Sequence, residues 1–390
     1  MIVGVPKESF PGERRVALVP LVVPNLVKAG LEVLVEAGAG VESGFADAEY
    51  AAKGAKIAPD RAAVFAAADI VVQVLCYGSN DKTGKADLPL YRKGQVLIGF
   101  LRPLGDVATV SGIAKAGVTA FSIELMPRTT RAQSMDALSS MATLCGYKAV
   151  LISADLLPRM LPMLTTAAGT ITPARVLVIG AGVAGLQAIA TARRLGAVTS
   201  AYDLRPAAKE QVESLGGRFV ELPIEAKDAE DARGYARAQD DTFYQKQREL
   251  LGRVVGESDV VITAAVVPGK KSPVLVTKEM VAKMMPGSVI VDLAAERGGN
   301  CELTRPGEKV VEHGVTIVGW FNLASALPHH ASQLYARNTS AFLAHLVRGG
   351  KLELNLEDEI IRETLVTRDG EIVSKRVREF FQLPALAGEK

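Results

Sequence analysis

Histidine is scarce in this chain: there are four in 390 residues, His313, His329, His330 and His345, all in the last fifth. An enzyme that oxidises an alcohol or an amine moves a proton as well as a hydride, and usually places an imidazole or a lysine beside its substrate to do so. The shortage weakens the reading of a simple dehydrogenase, although lysines and aspartates remain available as bases. The pair at 329–330 sits where a helix begins, which suits a helix start or packing better than catalysis. Cysteine is as sparse. Cys76, Cys145 and Cys301 lie far apart and match neither a disulfide framework nor a CxxC metal pattern, so they read as reduced core thiols and no metal is expected. Charge of one sign is missing too: the net charge is +2, with the basic residues dispersed, which gives no electrostatic reason to expect nucleic acid. The longest uncharged stretch, 176–192, falls short of the roughly 20 apolar residues a membrane span needs. The N-terminus opens directly on an apparent strand, Ile2–Val5, without the basic and apolar regions of a secretion signal, so a cytoplasmic chain is expected.

What is present is a large apolar fraction, 48%, in a chain long for one domain, which predicts two domains. The first 125 residues alternate short apolar runs (Ile2–Val5, Leu31–Val35, Asp69–Val74, Gln95–Leu101, Val118–Ser122) with helical segments such as Pro20–Lys28 and Asp106–Ala116. That alternation predicts a parallel sheet wrapped by helices. A helical stretch over Asp136–Met160 and a linker at Thr165–Pro173 lead to a second unit. Its strands fall near Val198–Tyr202, Asp259–Thr263, Ser288–Asp292 and Thr316–Gly319, with helices near Ala207–Leu215 and Lys278–Met284. A last helix, Pro328–Val347, is expected to pack back on the first domain. The fold class is therefore α/β, with two Rossmann-like doubly wound parallel-sheet domains joined by long helices. The first comprises residues 1–136 plus 328–390, and the second residues 137–327.

The densest chemical signal is RVLVIGAGVAG at 175–185, followed by Asp203 at the end of VTSAYD. An apolar strand feeding Gly180-x-Gly182-x-x-Gly185 leaves room for a pyrophosphate against backbone N–H groups at a helix N-terminus, where the helix dipole favours negative charge. A lone glycine triplet is weak, because glycines also pack helices on strands. Here the strand, the helix over Val183–Leu195 and an acid about 20 residues on all agree. The Asp203 carboxylate suits adenosine ribose hydroxyls and opposes a 2′-phosphate, which favours NAD(H), while Arg205 just beyond it is the counter-signal. A second polar cluster runs from Arg128 through Arg131, Gln133, Ser134 and Asp136 to Ser139. It offers the mixed donors and acceptors that a carboxamide requires, but Asp136 equally suits a helix cap and Arg131 a solvated charge. Between Phe219 and Thr242 lies a charged stretch containing Gly234-Tyr235-Ala236, which reads as a surface loop or as a mobile lid of about 222–242.

Taken together, KESFPGERRVAL (7–18), RTTRAQSMDALSS (128–140), GAGVAGLQAIATARRLGA (180–197), YDLRP (202–206), GYA (234–236) and PGKKSPVLVT (268–277) resemble the NAD(H)-binding component, domain I, of proton-translocating NAD(P) transhydrogenase. The resemblance spans almost the whole chain, and its most specific element is the Arg128, Gln133, Asp136 loop with Ser139 following. It implies that this loop positions the nicotinamide and its ribose at the face meeting an NADP(H)-binding partner. It also implies that NAD(H) is held by Gly180, Gly182, Val183, Gly185, Asp203, Arg205, Thr263, Ala264 and Ala265, with Gly234 and Tyr235 in the mobile loop. Further implications are a homodimer, membrane-spanning partner subunits, and a peripheral place at the cytoplasmic face of the inner (plasma) membrane. The sequence ends without a span of its own, which matches the split form in which other chains supply the proton channel.

Alanine dehydrogenases are similar in fold and share the N-terminal motif matched by Lys7, Glu8 and Arg15–Ala17, so an NAD-dependent amino-acid dehydrogenase is the alternative. Their lysine and histidine at two strand ends are replaced here by Leu75 and Arg102. Hydride passing between two nicotinamides needs no proton from the protein, which makes sense of that missing pair.

Overall fold

The computed structural model describes residues 1–221, 241–267 and 269–384. It forms two compact units, residues 1–141 with the segment from 325 onward, and residues 142–324. The chain opens with β1 (Ile2–Val5), α1 (Val23–Lys28), β2 (Glu32–Glu36), α2 (Asp47–Ala52), β3 (Lys56–Ala58), α3 (Arg61–Ala67), β4 (Ile70–Leu75), β5 (Val96–Phe100), α4 (Val107–Lys115) and β6 (Thr119–Ser122). Helix α5 (Ala137–Leu156) leads to β7 (Leu164–Thr166), β8 (Gly169–Ile171), β9 (Arg175–Ile179), α6 (Val183–Arg194), β10 (Val198–Tyr202), α7 (Ala208–Ser214) and β11 (Arg218–Phe219). There follow α8 (Asp241–Gly256), β12 (Val260–Thr263), α9 (Lys278–Val281), β13 (Val289–Asp292), β14 (Lys309–Glu312) and β15 (Val315–Val318). The last elements are α10 (Pro328–Leu346), β16 (Val347–Arg348), β17 (Lys351–Leu352), α11 (Glu359–Thr364), β18 (Leu365–Arg368), β19 (Glu371–Ile372) and α12 (Lys375–Phe380).

In the first unit one sheet has the order β19-β18-β6-β5-β4-β1-β2-β3, parallel from β6 to β3. Strands β4 (IVVQVL) and β5 (VLIGF) are buried almost throughout, because helices cover both faces of a parallel sheet. Asp60 accepts from the Ala63 N–H and Asp106 from those of Ala108 and Thr109, which starts α3 and α4 where the chain leaves a strand. Beyond the helix expected at the C-terminal end, two more strands return: β18 pairs antiparallel with β6, and Val366 and Val377 enter the same core as Phe65, Leu97 and Ile113.

The second unit carries the sheet order β11-β10-β9-β12-β13-β15-β14, in which β14 alone runs antiparallel to its neighbour. Alternation along the strands feeds two cores. Val178, Ile262 and Val291 face Ala149 and Ile189, while Leu177, Val261 and Ile290 face Leu251, Val255 and Met280. The register places Ile179 opposite Tyr202 and Thr263, and Thr263 opposite Asp292, so these strands finish together at one edge. Helix α5 is the one helix among the described residues long and apolar enough to cross a membrane, and its Ala149, Val150 and Ile152 are buried in this unit's core. It ends at Leu156, before Pro158, because a residue preceding proline avoids the helical region. The segment expected as a plain linker at 165–173 is instead mostly a two-stranded hairpin, β7 on β8.

Candidate functional site

The second unit's strand order, read from β9, reverses direction at the β9/β12 junction, and ligands of such sheets lie outside the carboxyl ends of the strands at that point. The three glycines there do different work. Gly180 has φ +99°, and a Cβ on it would lie 2.9 Å from the Ala264 carbonyl carbon and from the Ala265 nitrogen, so only glycine makes the turn out of β9. A Cβ on Gly185 would come within 1.9 Å of the Gly180 oxygen, and the missing side chain lets α6 press against the turn. Gly182, the residue that caps α6, is the exception: a Cβ there would meet only the Arg205 guanidinium, at 4.0 Å. The open space therefore lies at the helix N-terminus, as a pyrophosphate requires, and the residues present fit a dinucleotide. Val183 opens the helix.

Asp203 does not present a bare carboxylate. Its Oδ2 accepts from the Ala181 N–H at 2.7 Å and from the Arg205 Nη2 at 2.9 Å, and its Oδ1 accepts from the Arg205 backbone N–H and Nε, both at 2.9 Å. Arg205, read from the sequence as an independent counter-signal to the acid, is thus folded onto that acid and reaches the edge of the Gly182 opening. The carboxylate charge is balanced within the site, a pairing that spacing alone does not reveal. On the other side of the junction, Thr263 is buried and donates to Asp292 at 2.9 Å, while the Ala264 N–H donates to the Ile179 oxygen at 2.8 Å. Ala265 is held at both backbone atoms by Asn300. Neither Asp292 nor Asn300 stands out in the sequence, since a buried Asp after an apolar strand looks like a turn residue until its partners are seen.

In the first unit, Arg128 precedes a 3-10 turn, Thr130–Met135, that carries Gln133. Arg128 and Gln133 are exposed, whereas Ala132 and Met135 are buried beneath them. The Ser134 oxygen accepts from Asn338 of α10 at 2.8 Å, and Arg131 pairs with Asp358 at 2.9 Å, so the turn is tied down from two later segments. Asp136 accepts from the Ser139 N–H at 2.9 Å and from its hydroxyl, which makes it the cap of α5. A pinned turn that raises one amide and one guanidinium into solvent is a recognition edge whose pieces cannot drift.

Comparison with known proteins settles the lineage. Residues 4–145 match the family described as alanine dehydrogenase/PNT, N-terminal domain, and residues 149–375 match alanine dehydrogenase/PNT, C-terminal domain. The chain belongs to the alanine dehydrogenase/PNT family. It is 49% identical to the first of the chains that make up the NAD(P) transhydrogenase alpha subunit of Rhodospirillum rubrum, over 100% of both chains. The crystal structure of a transhydrogenase from Sinorhizobium meliloti superposes with a TM-score of 0.83 at 43% identity, covering 96% of this chain and 100% of that one. The alanine dehydrogenase of Bacillus subtilis is more distant, at 30% identity over 97% of this chain and 94% of the other. The transhydrogenase relatives place the chain in an oxidoreductase family.

Within the alanine dehydrogenase/PNT fold, the strand ends that bear Leu75 and Arg102 are closed by buried carboxylates. Glu8 accepts from the N–H groups of Val74 and Leu75 at 2.6 and 3.1 Å, and Glu124 from those of Leu101 and Arg102 at 2.8 and 2.9 Å. Burial pushes the Glu8 carboxyl up to about 8, reinforced by Glu13, against the pull of those two N–H groups and Arg61. Burial also raises Glu124, against the Ser122 hydroxyl and its N–H donors. Arg15 is locked to Glu13 at 2.6 and 2.7 Å with both side chains buried, a structural pair. His329 stacks on Phe45 at 4.6 Å and its Nδ1 meets the Ser43 oxygen at 2.9 Å, the packing role expected at that helix start. Gly234, Tyr235 and nearly all of the expected mobile loop lie outside the described residues.

Proposed function

We propose that this chain is the NAD(H)-binding subunit of a proton-translocating NAD(P) transhydrogenase, passing hydride between NAD(H) on this chain and NADP(H) on a partner subunit. The observation that carries the reading is the opening over Gly182 beside the Asp203–Arg205 pair, in a chain similar to transhydrogenase alpha subunits along its whole length. When bound, the nicotinamide supplies the hydride-carrying C4, and a direct transfer to a second ring demands no proton from the protein. The task left to the residues is positioning, which at near-attack geometry lowers a barrier by about 7–11 kcal/mol. Gly180, Gly182, Val183 and Gly185 give the pyrophosphate its backbone cradle. Asp203 and Arg205 read the adenosine ribose, and Thr263, Ala264 and Ala265 support the other half. Gln133 supplies a donor and an acceptor to the carboxamide, Arg128 a second donor, and Asp136 with Ser139 fixes the turn that carries them. Gly234 and Tyr235 cover the bound cofactor. The same reading gives the chain a homodimeric form and seats it peripherally, at the cytoplasmic face of the membrane, through membrane-spanning partner subunits.

The test mixes the chain with the NADP(H)-binding subunit and follows reduction of an NAD analogue by NADPH at the analogue's own absorbance band. Rapid reduction that requires both proteins supports the proposal. Alanine-dependent NAD⁺ reduction by the chain alone, or no transfer with both proteins verified as loaded, overturns it.

A further inference from the structure

The two halves of a doubly wound sheet hold the two halves of a dinucleotide, and in the second unit Asp203 ends β10 while the segment after β12 lies across the junction. That segment, from Ala264 to Pro273, has no helix or strand of its own among its described residues. Its shape is imposed by one buried side chain. The Asn300 amide is fully enclosed: its Oδ1 accepts from the Ala265 N–H at 3.0 Å, and its Nδ2 donates to the oxygens of Ala265 and Pro273, both at 2.8 Å. One donor and two acceptors on the backbone fix the amide orientation, because a flipped amide would face N–H to N–H. Asn300 is in turn seated by Asp292. The Asp292 carboxylate takes five donors: Thr263 Oγ1, the N–H groups of Ala294, Asn300 and Cys301, and Thr304 Oγ1, at 2.7–3.0 Å. Gly299 is required beside it, with φ +83° and a would-be Cβ 2.7 Å from Asp292 Oδ2. The same Ala264–Ala265 backbone stands 2.9 Å from where a Cβ of Gly180 would be, so its height sets the clearance at the glycine turn.

We propose that Asn300, seated by Asp292, is the positioning residue for the nicotinamide half of the cofactor, acting through the Ala264–Ala265 backbone and touching no ligand itself. The proposal rests on the NAD(H)-binding reading above. A network that only stabilised the unit would affect all ligands alike, whereas one that sets this wall separates whole dinucleotide from its adenosine half.

The experiment measures NADH and ADP-ribose affinities by calorimetry for the wild-type chain, Asn300→Ser and Asn300→Ala. It also follows amide hydrogen exchange at Ala265 and at Ala181, whose N–H is held by Asp203. The expected result is an NADH dissociation constant at least tenfold weaker in both variants. ADP-ribose affinity should stay within twofold, and exchange should rise at Ala265 but not at Ala181. Equal loss of both ligands, or no loss of either, overturns the proposal. If Asn300→Ala does not fold, the milder Asn300→Ser decides on the same two ratios. Failure of the underlying reading looks different, because then the wild-type chain binds neither NADH nor ADP-ribose.

Discussion

Two substitutions three residues apart should separate folding from ligand binding. At Gly182 the backbone has φ −78° and ψ −166°, which alanine adopts without strain, and the added methyl meets nothing closer than 4.0 Å. Replacing a glycine cap by alanine costs some of the roughly 0.5–1 kcal/mol tied to capping, while the stiffer unfolded chain returns a similar amount. Gly182→Ala should therefore leave stability within about 0.5 kcal/mol of wild type. The same methyl stands in the space argued to admit a pyrophosphate. Displacing one or two charge-assisted hydrogen bonds, at about 1.5–3 kcal/mol each, weakens NADH binding by about 100-fold or more. Gly185→Ala behaves in the opposite way. Its Cβ would lie 1.9 Å from one backbone oxygen and 2.9 Å from the carbon bearing it, so α6 or the glycine turn must move away. Overpacking against backbone costs about 3 kcal/mol, or about 6–12 °C in the melting temperature of a unit this size. Thermal unfolding followed by circular dichroism, with NADH titration by fluorescence, reads both quantities. Wild-type NADH affinity in Gly182→Ala, or unchanged melting in Gly185→Ala, would refute the division of labour among the three glycines.

Asp203→Ala should weaken NADH binding and, by leaving the Arg205 guanidinium for a 2′-phosphate, raise the NADPH-to-NADH affinity ratio about tenfold, near 1.4 kcal/mol. Arg205→Ala bares the carboxylate and should move that ratio the other way; titration of both cofactors tests the pair, and shifts in the same direction would sink it. Gln133→Asn shortens the exposed amide, so NADH affinity should persist while hydride transfer with the NADP(H)-binding subunit slows by tenfold or more in stopped flow; equal losses in both count against the positioning role. The Glu8 carboxyl, raised from 4.5 to about 8 by burial, binds a proton on folding, so its contribution to stability is complete below pH 4.5 and is lost as pH rises toward 8. The wild-type melting temperature should fall relative to Glu8→Gln between pH 5 and pH 8, and parallel curves would show that Glu8 does not titrate in this range.

The sequence alone carried what depends on local chain chemistry. Gly180, Gly182 and Gly185 between an apolar strand and a helix pattern, with Asp203 one strand later, made the dinucleotide turn readable because each residue acts on backbone a few positions away. The apolar runs gave the parallel strands, because burial on both faces erases alternation. Asp136 was legible as a cap because its donor, the Ser139 N–H, is three residues on. Tertiary structure decided the rest. Arg205 is two residues from Asp203, yet that it turns back rather than outward depends on how the β10 end meets the Gly182 opening. Glu8 closes a strand end 66 residues away, and Asn300 shapes a segment 35 residues earlier. β18 and β19, from the far end of the chain, complete the first sheet. Such contacts leave no periodicity to read: a buried polar side chain is costly until its partners surround it, and only the folded backbone determines which partners those are.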